Sequence, residues 1–202
     1  RSIIFIVNFT ITIICKIIFR YIIYNWFFFN LTINYIILVI RFENVINFDS
    51  DKIKNLIEVS EILLKANKKG KKTLIFGNGG SAAIASHFSV KQKKNARVRC
   101  VNYNESDLLT CFSNDFGYEN IFSRQISALG KPNDVLYAIS TSGKSENIVM
   151  AIDAARKRNM HVIGITGENG NLMDDKCDLL IKVPSKSPDR IQAVSYTHLT
   201  LP

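Results

Sequence analysis

The chain has 202 residues, the length of one ordinary domain, and a formal charge of +9. Its densest basic group, Lys91, Lys93, Lys94, Arg97 and Arg99, has no aromatic residue among its members; it reads as a solvated face, and no nucleic-acid partner is expected. The four cysteines, Cys15, Cys100, Cys111 and Cys177, form no close pair, which argues against a metal knuckle or a disulfide scaffold and fits reduced thiols in a cytoplasmic protein.

Residues 1–42 are dominated by Ile, Phe, Asn and Tyr. No charge occurs from Tyr21 to Ile40, a run long enough to span a bilayer, yet Asn25, Asn30 and Asn34 are amides that lipid penalises. The segment reads either as translated AT-rich non-coding sequence or as a membrane segment, and membrane association is expected only if 21–40 is native. A signal peptide is not expected, because no small-residue cleavage site follows. A helix is predicted over Asp49–Ala66, capped by Asp49 or Ser50, with Ile53, Leu56, Ile57, Leu63 and Leu64 as its apolar stripe and Gly70 ending it.

The next stretch organises the chain. Thr73 to Phe76 is a short apolar run that reads as a buried strand. It breaks into Gly77-Asn78-Gly79-Gly80-Ser81, and a helix is predicted from Ser81 onward. Glycines let the backbone approach a ligand closely, and the following helix start offers free N–H groups and a positive dipole end. An anion site, a phosphate site in particular, is expected there. Two alternatives stand beside it. One is a nucleotide site, but the next strand, roughly Ala96–Val101, ends in Asn102-Tyr103-Asn104 without the acidic residue such sites use. The other is a tight turn with no ligand.

Glu105–Cys111 is predicted as a short helix, Asn114-Asp115-Phe116-Gly117 as a turn able to meet a polyol, and Tyr118–Leu129 as helical. Asp134–Ile139 is a second apolar strand. It runs into Ser140-Thr141-Ser142-Gly143-Lys144-Ser145 and then a helix, Ser145–Arg158, with Ile148, Ile152 and Ala155 on one face. Gly143-Lys144-Ser145 resembles the end of a P-loop, but the earlier glycine of that motif is Ala138 here. Four hydroxyl residues remain at one helix start. Capping explains one hydroxyl, whereas four can wrap a phosphate by hydrogen bonds. Strands at His161–Thr166 and Leu179–Val183 follow. The alternation implies an α/β fold: a three-layer α/β/α sandwich, doubly wound, around a five-stranded parallel sheet.

Six stretches in order, FGNGGS (76–81), SHF (86–88), CFSNDFGYENIFSRQ (111–125), AISTSGKSEN (138–147), VIGITGENG (162–170) and DRIQ (189–192), make residues 44–194 resemble the SIS (sugar isomerase) domain, and within it the phosphoheptose isomerases. The resemblance implies aldose–ketose isomerisation of sedoheptulose 7-phosphate, or a non-catalytic SIS module that senses a sugar phosphate or binds a protein. It implies substrate contacts from Asn78, Gly79, Gly80 and Ser81, from Asn114 and Asp115, from Ser140, Thr141, Ser142 and Ser145, and from Gln192. It also implies zinc at His87, with Gln192, and a homo-oligomer, a tetramer whose sites are shared between subunits.

The chain departs from the family at both proton carriers. Lys91 stands where the family has its glutamate base, one helical turn after His87, and Thr200 stands where it has a C-terminal histidine. A lysine ammonium has no lone pair with which to take a proton, so the residues that would carry the isomerisation are unknown. Ser195–Pro202 shows no helical stripe and reads as a foreign tail after the domain.

Overall fold

The computed structural model describes residues 50–168 and 172–200, all within the compact unit Val45–Pro202. The other unit, Arg1–Asn44, lies outside the described residues, and with it the reading of 1–42.

Five strands, β1 (Thr73–Gly77), β2 (Cys100–Val101), β3 (Val135–Ile139), β4 (His161–Gly167) and β5 (Leu179–Val183), form one sheet in the order β2-β1-β3-β4-β5. Every neighbouring pair is parallel, with Phe76 beside Ala138 and Ile139 beside Ile165. Six helices among the described residues cover it: α1 (Ser50–Lys68), α2 (Gly80–Asn95), α3 (Ser106–Phe116), α4 (Ile121–Leu129), α5 (Glu146–Lys157) and α6 (Pro188–Thr200), with a 3-10 turn at Tyr118–Asn120 before α4. This is the expected three-layer sandwich.

The strands are apolar on both sides because both faces are covered. Successive side chains point to opposite faces. Ile75, Tyr137 and Ile163 pack with Val59 and Leu63 of α1, Ile84 and Phe88 of α2, and Ile191 and Val194 of α6. Leu74, Phe76, Leu136 and Val162 pack with Ile121, Phe122 and Ile126 of α4 and Ile148 and Ile152 of α5. The amino-terminal end of the sheet is tied by one carboxylate. Asp134, only 2% exposed, accepts from Lys72 Nζ at 2.5 Å, from the Lys72 N–H at 3.0 Å and from the Lys131 N–H at 3.0 Å.

Three local expectations are corrected. The α1 stripe runs through Leu56, Val59, Leu63 and Ala66, leaving Ile57 and Leu64 54% and 47% exposed. The strand expected over 96–101 shrinks to Cys100–Val101, since Arg97 is left-handed (φ 52°) and Asn67 binds Arg97 O and the Arg99 N–H. Asn114 and Asp115 sit in the last turn of α3, not in a turn of their own. Leu109 and Phe112 keep helical spacing against the core, and Gly117 at φ 84° ends the helix. In addition, the backbone of α6 runs on to Thr200, into the segment read as a tail after the domain. Ile191, Val194 and Ser195 are buried at spacings of three and four, and Ser195 Oγ donates to Ile191 O at 2.6 Å.

Candidate functional site

The chain leaves β1 toward β2 on one side, while β3 lies on its other side. The carboxyl ends of β1 and β3 therefore flank the point where strand order reverses, the place where open α/β sheets bind ligands. Both loops singled out in the sequence emerge there.

After β1, Gly79 caps α2 with φ 52° and ψ −121°, a conformation that suits glycine. A Cβ built at Gly79 would meet nothing within 4 Å, so the loop is open on the ligand side. Ser81 is 3% exposed, and its N–H donates to Asn78 O at 2.9 Å, closing the turn. A Cβ at Gly80 would come within 2.4 Å of Gln192 Oε1. Gln192, from α6, therefore lies directly against the glycine loop.

After β3, the hydroxyls build the loop as well as line it. Ser140, 3% exposed, has its Oγ 3.0 Å from Ser145 Oγ and accepts from the Gly143 N–H at 3.1 Å. Ser142 Oγ accepts from the Lys144 N–H at 3.2 Å, and Thr141 O accepts from the Gly167 N–H at 3.2 Å, fastening the loop to the end of β4. Ser145 is the N-cap of α5 without a side-chain capping bond, so its hydroxyl serves the loop rather than the helix. The first N–H groups of a helix have no partner inside it, so the starts of α2 and α5 both offer donors. A recess of about 200 Å³ opens beside this loop, with Thr141, Ser142 and Lys144 on one wall and Ser185 and Lys186 on another. Two ammonium groups beside hydroxyl donors suit an anion.

The structure brings Asn78 to the second loop through residues the sequence did not single out. Asn78 Nδ2 donates to Asn147 Oδ1 at 2.8 Å, and Asn147 Nδ2 donates back to Asn78 Oδ1 at 2.9 Å. The Tyr118 hydroxyl donates to the same Asn78 Oδ1 at 3.1 Å. Asn114 and Asp115 are exposed and engage each other, Nδ2 to Oδ1 at 3.0 Å. Asp115 also takes a hydrogen bond from Cys111 Sγ, which with the nearby carboxylate charge raises that thiol's pKa.

His87 is exposed on α2. Its Nε2 lies 3.2 Å from the Tyr196 hydroxyl of α6, with ring centres 5.1 Å apart. Lys91, one turn further on, is half-buried. Zinc is held by three or four protein donors, often His, Cys, Asp or Glu. No three such side chains gather among the described residues, and Tyr196 engages His87 Nε2.

Comparison with known proteins adds the following. Residues 41–167 match the family described as SIS domain. The chain is 42% identical to a phosphoheptose isomerase of Campylobacter jejuni over 151 residues, covering 71% of this chain and 81% of that protein. It is 42% identical to a phosphoheptose isomerase of Rhodospirillum rubrum over 144 residues, covering 68% and 76%. The solved phosphoheptose isomerase of Neisseria gonorrhoeae superposes with a TM-score of 0.75 at 33% identity, over 84% of this chain and 93% of that one.

Proposed function

Because this chain belongs to the SIS domain family, and within it to the phosphoheptose isomerases, we propose that it binds sedoheptulose 7-phosphate in the crevice between β1 and β3 and interconverts its ketose and aldose forms. The observation that carries the reading is the pair of loops at the reversal point. The Ser140–Ser145 loop, built on its own hydroxyls and backed by the Lys144 and Lys186 recess, takes the phosphate. The open glycine loop at Asn78–Ser81, with Gln192 against it, takes the sugar.

Lys91 favours a second reading, in which the domain binds the sugar phosphate without turning it over. Isomerisation moves a proton between adjacent carbons and needs a base there. An ammonium at the position where the resemblance expects the glutamate supplies none.

The native protein is proposed to be a cytoplasmic homo-oligomer, a tetramer by resemblance. Cys100, Cys111 and Cys177 are free thiols, and no helix among the described residues is long and apolar enough to cross a membrane. The exposed Ile57 and Leu64 support self-association, being seven residues apart on one face of α1.

Calorimetric titration with sedoheptulose 7-phosphate and with the unphosphorylated sugar tests the site, and a turnover assay on the same samples separates the two readings. Binding of the phosphorylated sugar alone is expected. Ser140→Ala with Ser142→Ala should weaken it by about tenfold or more, because each hydrogen bond to a charged acceptor is worth ~1.5–3 kcal/mol. Equal affinity for both sugars, or an unaffected double variant, overturns the assignment of the loop.

A further inference from the structure

We propose that Asn147 and Tyr118 are positioning residues that hold the Asn78 side chain in place, so that Asn78 meets the sugar through its one remaining Nδ2 hydrogen. The inference rests on the sugar-phosphate reading of this crevice and assigns what one residue of it recognises.

The two amides form a closed pair across the reversal point. Asn78 follows the last residue of β1; Asn147 lies in the first turn of α5 and is only 2% exposed. A side-chain amide carries one oxygen with two acceptor sites and one nitrogen with two hydrogens. Asn78 Oδ1 accepts from Asn147 Nδ2 and from the Tyr118 hydroxyl, so both acceptor sites are filled from within the protein. Asn78 Nδ2 gives one hydrogen to Asn147 Oδ1 and keeps the second for a ligand. The ligand atom this arrangement selects is an oxygen acceptor. In a ketose that means the carbonyl or a hydroxyl oxygen, and a donor held on the carbonyl oxygen strengthens as negative charge develops there.

The same oxygen joins three pieces of chain. The glycine loop carries Asn78, the segment after α3 carries Tyr118, and the start of α5 carries Asn147. A change at either partner alters recognition of the sugar and leaves the hydroxyl loop that takes the phosphate in place.

Asn147→Asp and Tyr118→Phe test this by calorimetric titration with sedoheptulose 7-phosphate and with inorganic phosphate, each compared with wild type at the same pH. The ionised carboxylate that Asn147→Asp introduces cannot donate to Asn78 Oδ1 and sets a second oxygen against it, so the closed pair opens and Asn78 is no longer held in place. At about pH 8 Asn147→Asp is expected to lose affinity for the sugar phosphate by about tenfold, a loss of ~1.4 kcal/mol, and to bind inorganic phosphate as wild type does. A protonated carboxyl group restores the donor–acceptor pair of the amide, so the loss should shrink as the pH falls. Tyr118→Phe, at an exposed position that leaves the core untouched, should show a smaller loss for the sugar phosphate alone. Wild-type affinity in both variants overturns the proposal, as does equal loss of both ligands or a loss that ignores pH. If wild type itself fails to prefer the phosphorylated sugar, the crevice reading fails; if that preference stands and the variants match wild type, only the Asn78 assignment fails.

Discussion

Lys91 decides more about this chain than any other single residue. Its helix, its neighbour His87 and both loops follow the resemblance, yet its charge has the opposite sign to the one expected there. Lys91→Glu is expected to raise turnover of sedoheptulose 7-phosphate on the order of 10²-fold, the low end of what a positioned base contributes. A variant that binds the ligand and turns over no faster than wild type counts against a carboxylate at this position as the missing element. Single residues differed greatly in how far the sequence disclosed them. Gly79, Gly80, Ser140 and Ser145 were legible because glycine freedom and hydroxyl density are local properties. Asn147 and Tyr118 were not, because their roles depend on contacts with Asn78 across 69 and 40 residues. Their only signal was that both fall inside stretches quoted for the family resemblance.

Among the elements, the strands were the clearest. β1, β3, β4 and β5 coincide with apolar runs bounded by glycine, serine or charged residues, since a strand covered on both faces needs no alternation. β2 was overestimated, because propensity does not register that Asn67 occupies the backbone at Arg97 and Arg99. The α1 stripe was misplaced for a related reason. Ile57 and Leu64 are as apolar as Leu63, and only packing against the sheet distinguishes the buried face from the other. That outer face motivates a prediction about α1. If it contacts another copy, replacing Ile57 and Leu64 by Glu should lower the mass observed by light scattering without lowering the thermal midpoint of the remaining species. An unchanged mass would remove α1 from the interface.

At the scale of the molecule, burial sets how the fold responds to alkali. Cys100 is fully covered at the start of β2, and burial pushes its pKa from 9.0 up to about 12. A group whose folded pKa lies above its unfolded value contributes stability that is complete below the unfolded pKa and is lost as pH rises toward the folded one. Thermal midpoints should therefore fall between pH 9 and about 12, at up to ~1.4 kcal/mol per pH unit for this thiol. Cys100→Ala should lower the plateau, through the cavity it opens, and flatten the alkaline slope. An equal slope in the variant would assign the alkaline loss to other groups.

The two ends of the sheet are held by different chemistry. A buried carboxylate, Asp134, gathers Lys72 and the N–H of Lys131 at the amino-terminal end, while neutral amides and hydroxyls meet at the other. Removing one partner of a buried charge is costly, whereas loop residues at strand ends tolerate exchange. The architecture thus separates what inheritance must preserve from what it is free to try. A lineage built on this sheet can trade one sugar for another, or catalysis for sensing, by substitutions at a handful of loop positions. Lys91, on α2 rather than in a loop, departs from the resemblance on a scaffold that did not have to change with it.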